Sequence, residues 1–233
     1  MNHASASAGP YNRLLAALSP EARQFMEQRA EMRRMNAGDV VFEEEATVTH
    51  AVFPHEGVVS LIAPMENGRS VEKSLIGSEG FLGFVIVMGG KTVFGRSVVQ
   101  VAGSASWVPV DRVEEALVRF SCVRDVMLRF TKAHMAHLME SLACASLHSA
   151  EQRVARWLLH THDRVEGDAF HVTQESIAAL LALRRATVNA ACTELMSAGA
   201  ISYHRGAVRV TDRDQLLGRA CGCYGRIRKA ESS

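Results

Sequence analysis

Between residues 173 and 210, the pattern of apolar and polar positions predicts two short helices and then two short strands. Thr173 is a preferred capping residue, and the segment TQESIAALL carries Glu175 in its first turn, where the positive end of a helix favours an acid. A break at residues 182–184 leads into a second helical segment, RRATVNAACTELMSAG. Its apolar stripe has i, i+4, i+7 spacing and consists of Val188, Cys192 and Leu195. Gly199 stands where a left-handed cap would end this helix.

The two strands that follow have the pattern of a hairpin with a basic tip. The segments ISYH and AVRV alternate in polarity and flank the turn Arg205-Gly206. Two short helices followed by such a hairpin predict a winged helix-turn-helix that binds double-stranded DNA. The candidate DNA-contacting residues are Arg184, Arg185, Thr187, Asn189, Thr173, Gln174, His204 and Arg205. The alternative interpretation is a small helical subdomain with a solvated polar face.

The first half of the chain has a different pattern. Residues 11–35 predict one or two short helices broken at Ser19-Pro20. From residue 37 short alternating segments follow one another, with Asn67-Gly68 as a hairpin signal and a strand pair over residues 96–108. Many short strands with closely spaced turns predict a small sandwich or roll.

A short helix from Asp111 and a much longer one from about Ser121 to His148 come next, and the longer helix carries two apolar stripes. One stripe contains Leu128, Thr131, Met135, Leu138, Leu142 and Ala145. The other contains Val123, Met127, Phe130, His134, His137, Ser141, Cys144 and His148. Two stripes predict a helix covered on two sides, by the strands and by the same helix of a second subunit. The alternative is a buried helix of a monomer. Further helices are predicted over residues 151–163 and 216–227.

Composition and charge add little to this picture. No apolar run approaches the roughly 20 residues needed to cross a bilayer, and MNHASASAGP lacks the features of a signal peptide, so we expect a polar disordered tail and a cytoplasmic protein. From residue 151 onward twelve Lys and Arg stand against nine Asp and Glu, a mildly basic balance that suits DNA. The five cysteines have neither disulfide nor zinc spacing, since Cys221 and Cys223 are separated by a single residue, and no metal site is expected.

The order of parts resembles the Crp/Fnr family of bacterial transcription regulators over roughly residues 11–230. The segments that carry the resemblance are FPHEGVVSL, MENGRSVE, EGFLGF, GRSVVQVAG, AEQRVARWLL and TQESIAALLALRRATVNAACTELMSAGAIS. The resemblance implies an α+β chain with an N-terminal β-roll (a double-stranded β-helix, jelly-roll-like), a long dimerisation helix and a C-terminal winged helix-turn-helix. The corresponding divisions are a tail over residues 1–10, a cyclic-nucleotide-binding-like roll over 11–110, the two helices over 111–149 and the DNA-binding domain over 150–233.

The same resemblance implies what the protein does. It implies a homodimer joined through the long helix that binds an inverted-repeat operator, senses a small-molecule effector in the roll, contacts RNA polymerase and neither spans a membrane nor acts as an enzyme. Arg185 stands where the family has a base-reading arginine, with Arg184 beside it. Ala186 and Ala190 replace the glutamate and arginine of the cAMP-responsive members, so a different operator is expected. Arginine spans two acceptors of guanine, and Asn189 suits adenine or a phosphate.

The predicted effector pocket departs from the cyclic-nucleotide pattern. Phe81 after Gly80 occupies the place of a ribose-binding glutamate, while Arg96-Ser97 corresponds to the phosphate-binding pair. Leu138 and Met139 lie where adenine would meet polar groups. A site that has lost the acceptor for a ribose hydroxyl loses much of its affinity, so cAMP is not expected to bind.

Two other functions stay open at this point. One is a redox, gas or haem sensor of the same architecture, with cysteines, His134 or His137 as sensing groups, although a packed helical histidine is the commoner case. The other is a ligand-binding module that does not bind DNA. No set of residues indicates catalysis, and no cofactor is expected.

Overall fold

The structure is a computed structural model that describes residues 11–66 and 70–232. The predicted disordered tail and the Asn67-Gly68 turn therefore lie outside the described residues. The strands on either side of that turn pair antiparallel, with Pro64 opposite Ser70, as a hairpin requires.

Two short helices open the described chain, α1 (Arg13–Ala16) and α2 (Pro20–Glu27). Ser19 caps α2 and Pro20 occupies its first turn, which confirms the predicted break. The prediction that helix continues to residue 35 is wrong, because Glu31–Met35 forms strand β1. Its backbone pairs antiparallel with a later strand, and this pairing outweighs the high helical propensity of EMRRM.

An antiparallel sheet follows, built from β2 (Val40–Phe42), β3 (His50–Pro64), β4 (Ser70–Ile76) and β5 (Arg96–Pro109) together with β1. The order is β1-β5-β3-β4, and β2 also pairs with β5. A 3₁₀ helix (Phe84–Met88) lies in the glycine-rich segment between β4 and β5.

The predicted strand pair over residues 96–108 is a single strand. Gly103 does not form a turn; it permits close approach, since a Cβ there would lie 2.2 Å from the Glu56 carbonyl oxygen of β3. Gly57, opposite it, has a left-handed φ of 85°, and the pairing of β3 with β5 shifts register here. The two long strands bend together at this point.

Two helices leave the sheet, α3 (Val110–Arg119) and α4 (Ser121–Leu147). The second predicted stripe of α4 faces inward, since six of its members are buried: Val123, Met127, Phe130, His134, His137 and Cys144. The first stripe lies mostly outside. Leu128, Met135 and Leu142 are exposed and Leu138 is half-buried, whereas Thr131 is buried.

The remaining chain forms a second, smaller unit. Its elements are α5 (Ala150–His162), β6 (Ala169–His171), α6 (Gln174–Leu180), α7 (Arg185–Ser197), β7 (Ile201–His204), β8 (Ala207–Val210), α8 (Arg213–Arg219) and α9 (Cys223–Glu231). The three strands form an antiparallel sheet of order β6-β8-β7. The single helix predicted over residues 216–227 is instead two helices, interrupted around Gly222.

Two hydrophobic cores result, one inside the roll and one around Trp157 of α5. The second core includes Val58, Ile62 and Leu75 of the sheet, so the two units share apolar packing. The predicted α+β fold class is confirmed. No helix of the described residues is both long and apolar enough to cross a membrane.

Candidate nucleic-acid interface and sensor cavity

The helix-turn-helix consists of α6, a short turn and α7. The Thr173 hydroxyl accepts a hydrogen bond from the Ser176 amide at 3.0 Å and caps α6 as predicted. Ala182 takes a left-handed φ of 52° in the turn. The predicted stripe of α7 (Val188, Cys192 and Leu195) is fully buried, which fixes the rotation of this helix about its axis. Burial raises the pKa of Cys192 to about 11. Gly199 ends the helix with a φ of 72°, as predicted.

Because that stripe is buried, the polar residues at the amino end of α7 face outward. Arg184, Arg185 and Asn189 are exposed, and Thr187 is half-buried. The Arg185 guanidinium lies 3.6 Å from the Glu175 carboxylate of α6, but both side chains are more than 70% exposed. A pair this exposed contributes little, so Arg185 is free to exchange Glu175 for another partner.

The wing is the β7–β8 hairpin. Arg205 and Gly206, its two turn residues, both have positive φ (48° and 82°), the conformation of a two-residue turn that matches the twist of the strands. His204 and Arg205 are exposed at the tip. A shallow depression joins the wing to the two helices and is lined by Thr173, Gln174, Glu175, Arg185, Tyr203, Arg205 and Gly206. The fold thus brings four of the eight predicted DNA-contacting residues to one depression.

The six predicted effector residues do not meet in one pocket of a single subunit. Phe81 is buried and stacks on Phe53, with ring centroids 5.4 Å apart. Arg96 pairs with Glu43 at 3.0 Å on the outside of the sheet. Met139 is exposed on the side of α4 away from the roll. The remaining three are Gly80, packed on α4, Ser97, buried in β5, and Leu138, half-buried in α4.

A cavity of about 140 Å³ lies instead between α4, the roll and the end of the chain. Its lining includes Arg129, His134 and His137 of α4, together with Glu79 and Arg164, and none of the six predicted effector residues. Sequence reasoning missed this cavity because its wall is assembled from α1, β4, α4, α9 and two loops.

Three buried histidines, His134, His137 and His160, form a row beside this cavity. The rings of His137 and His160 stack at 5.1 Å, and His134 contacts the Ser74 hydroxyl at 3.0 Å. Burial lowers the pKa of His134 to about 4 and holds the pKa values of the other two well below the ordinary range. The histidine row is therefore uncharged at neutral pH.

Charged and polar contacts tie the carboxyl-terminal unit to the roll at the same place. The buried Arg164 guanidinium bridges Glu79 and Glu231, each at 2.7 Å. The Trp157 indole nitrogen donates to the buried Glu72 carboxylate at 3.0 Å. Burial raises the pKa of Glu72, while the bonds from Ser60 and Trp157 oppose that shift. The carboxyl-terminal unit is thereby fixed against β4.

Comparison with known proteins supports the assignment of a helix-turn-helix domain to this part of the chain. Residues 152–219 match the family of the Crp-like helix-turn-helix domain. A search of curated proteins finds no match.

Three solved structures show the extent of the similarity. FixK2 from Bradyrhizobium japonicum is 17% identical, with 82% of this chain and 98% of that chain covered and a TM-score of 0.70. TTHB099, a transcriptional regulator from Thermus thermophilus, is 19% identical, with 81% of this chain and 96% of that chain covered and a TM-score of 0.65. The c-di-GMP-responsive global regulator CLP from Xanthomonas campestris is 15% identical, with 83% of this chain and 100% of that chain covered and a TM-score of 0.64.

The predicted resemblance is confirmed. The chain contains a Crp-like helix-turn-helix domain over residues 152–219, and as a whole it has the fold of Crp/Fnr-type regulators. Two of these neighbours, TTHB099 and CLP, are described as regulators.

Proposed function

We propose that the protein is a homodimer that binds an inverted-repeat operator by inserting the amino end of α7 into the major groove. The observation that carries this proposal is the orientation of α7, whose apolar stripe is buried while Arg184, Arg185 and Asn189 point to solvent. Side chains at this end of a recognition helix contact base edges. Thr187, Gln174 and the wing residues His204 and Arg205 would contact flanking phosphates or bases, while Thr173 positions α6 through its cap.

The exposed side of α4 supports the dimer. Leu128, Met135, Met139 and Leu142 form an apolar seam at spacings of seven, four and three residues, and Leu142 is 73% exposed. This is the heptad-like spacing with which two helices pack against each other. A two-fold pair of subunits is also what an inverted-repeat operator requires.

We further propose that the roll (residues 11–110) is the sensor, residues 111–149 the relay and residues 150–233 the DNA-binding domain. A cavity of about 140 Å³ is below the roughly 300–1,000 Å³ of common ligand pockets, so an effector held within one subunit would be small and not a haem. Phe81 offers no acceptor to a ribose hydroxyl, which disfavours cAMP. Contact with RNA polymerase and action in the cytoplasm, where the operator lies, complete the proposal.

Arg185→Ala tests the DNA-binding assignment. The operator is first obtained by selecting DNA from a random pool with the purified protein. A bidentate arginine–guanine contact contributes about 1–3 kcal/mol, so the variant should bind that operator about 5- to 150-fold more weakly per half-site. Arg185→Lys keeps the charge but not the bidentate geometry, and should lose specificity more than non-specific binding.

Arg34→Ala is the matched control, since Arg34 is exposed on β1 of the roll and its replacement changes the charge equally. It should bind as the wild type does. Operator affinity of wild type should also fall steeply with added salt, because phosphate contacts release counterions. Unchanged operator affinity of Arg185→Ala, with the dimer intact, would overturn the assignment of α7.

A further inference from the structure

Four potential metal ligands converge where the long helix meets the carboxyl-terminal unit. They are Cys144 in the last turn of α4, His148 at the residue that ends it, Cys221 between α8 and α9, and Cys223 at the first residue of α9. We call this group the thiol–imidazole site. Spacing along the chain does not group these residues: Cys221 lies 77 positions after Cys144, and only the packing of α9 against α4 brings them together.

The distances within the thiol–imidazole site suit one tetrahedral ion. All four donor atoms lie within 4.8 Å of one another. The Sγ atoms of Cys144 and Cys221 are 3.4 Å apart, and Cys223 Sγ is 3.6 Å from His148 Nδ1. Zinc–sulfur bonds of about 2.3 Å in a tetrahedron place ligand atoms roughly 3.8 Å apart, so shifts of a few tenths of an ångström to about one ångström close the site. A cluster of several irons would hold the thiolates farther apart, because more than one metal atom would lie between them.

The surroundings also favour a bound cation over three ordinary packed thiols. The three sulfurs are buried and form a cluster apart from the two large cores. The Arg226 guanidinium lies 3.1 Å from Cys223 Sγ, where its positive charge offsets the net negative charge of three thiolates around one divalent ion. Three thiolates and one imidazole fill all four tetrahedral positions, which is typical of a structural zinc site rather than a catalytic one. Such a soft donor set selects Zn²⁺ over Mg²⁺ or Ca²⁺.

We propose that the thiol–imidazole site binds one Zn²⁺ ion per chain. His148 and Ser149 are the non-helical residues between α4 and α5, so the ion links the end of α4 and this junction to the start of α9. Arg226 of α9 also pairs with Glu140 of α4 at 2.8 Å, which provides a second link along the same contact. Binding of the ion fixes the direction in which the carboxyl-terminal unit leaves α4.

A regulatory consequence follows, and it rests on the proposed function. In a dimer the two α7 helices must lie one helical turn of DNA apart to occupy both half-sites. The metal-loaded protein holds the α4–α5 junction in one geometry, and loss of the ion releases it. Operator affinity therefore depends on Zn²⁺, even though no ligand of the thiol–imidazole site lies on the DNA-contacting surface.

Metal content is measured first, by inductively coupled plasma mass spectrometry of the reduced full-length protein. Zinc affinity is then measured by competition with a chromophoric chelator. One Zn²⁺ per chain is expected. Co²⁺ should bind in its place and give the absorption of a tetrahedral thiolate complex. Cys221→Ser and His148→Ala should each weaken zinc binding by at least about 100-fold, since loss of a mere outer-shell partner already costs 10- to 100-fold.

Cys122→Ser is the control, because Cys122 lies at the start of α4 and is only half-buried. It should keep full zinc stoichiometry. His148 is only half-buried, and His148→Ala retains all three thiols. This variant therefore tests the site even if a cysteine variant fails to fold. Absence of stoichiometric zinc in reduced protein, or the same zinc affinity in His148→Ala as in wild type, would overturn the proposal. So would a Cys144–Cys221 disulfide in a protein that binds no metal, since that outcome identifies a redox switch.

Operator retardation by zinc-loaded and zinc-free protein separates this inference from the proposed function. Stronger binding by the loaded form supports both. Stoichiometric zinc with equal operator affinity in the two forms removes the regulatory consequence and leaves the metal site. If neither form binds any DNA selected from the pool, the proposed function fails, while the metal measurements still decide the site.

Discussion

Gly80 illustrates how packing, rather than ligand binding, can require a glycine. A Cβ atom at position 80 would lie 2.2 Å from Cε2 and 2.5 Å from Cζ of Phe130, far inside van der Waals contact. Phe130 cannot swing away easily, because its ring packs on Phe81 at 5.3 Å and on His134 at 5.4 Å. Gly80→Ala should therefore force apart the glycine-rich loop and α4.

The magnitude follows from this contact. Overpacking a dense core costs about 1–3 kcal/mol, and the close approach to a well-packed ring places Gly80→Ala in the upper half of that range. Phe130→Leu alone should also destabilise, since it removes aromatic contacts with Phe81 and His134. In the double variant the smaller side chain makes room for the new methyl group. Its loss of stability should then be smaller than the sum of the two single losses by at least about 1 kcal/mol.

The assay is urea unfolding of the four proteins, followed by fluorescence of Trp107 and Trp157 and by circular dichroism. Trp157 lies in the second core and Trp107 beside the first, so the two signals report on both units. Coinciding transitions are required before the free energies are compared. If the two single losses of stability sum to the loss of the double variant within about 0.5 kcal/mol, the reasoning is refuted, because distant, independent sites are additive in that way.

Three further predictions concern pH and assembly. Burial lowers the pKa values of the three histidines of the histidine row in the folded protein. At mildly acidic pH these histidines therefore bind protons in the unfolded chain and not in the folded one. Stability should thus fall below about pH 6.5, by up to about 1.4 kcal/mol per pH unit for each histidine, and a flat profile of urea midpoints between pH 7.5 and 5 would contradict this. The pKa of Glu72 is raised, so its contribution to stability is favourable at low pH and is lost as the pH rises. Glu72→Gln keeps an acceptor for the Trp157 indole and should be at least as stable as wild type at pH 8. A lower urea midpoint of the variant at pH 8 would contradict this prediction. Leu142→Glu should shift the protein from dimer to monomer in sedimentation equilibrium. Val118 is exposed on α3 outside the apolar seam, so Val118→Glu should leave the dimer intact. Equal association of the two variants would exclude the seam as the interface.

The helix-turn-helix was predictable because its signals are local. Thr173 caps α6, the three-residue stripe rotates α7, and Gly199 ends it, each within a few positions of the residue it affects. β1 could not be predicted in this way, since EMRRM becomes a strand only through pairing with β5, with partners 68 to 76 residues later. The same limit applies at Gly103, where local pattern predicts a turn. Its role as a point of close approach depends on Glu56 of a distant strand.

Local patterns in the chain are enough to establish the class of the protein, because periodicity, caps and turn residues act over one or two helical turns and specify the order roll, long helix, winged helix-turn-helix. Which groups meet depends on the packing of these parts. Packing separates the six predicted effector residues, forms the cavity beside the histidine row, and brings Cys144 to the pair of thiols around Gly222. Contacts between residues far apart in the chain depend on the angle at which helices and strands pack, and one-dimensional spacing carries no information about that angle.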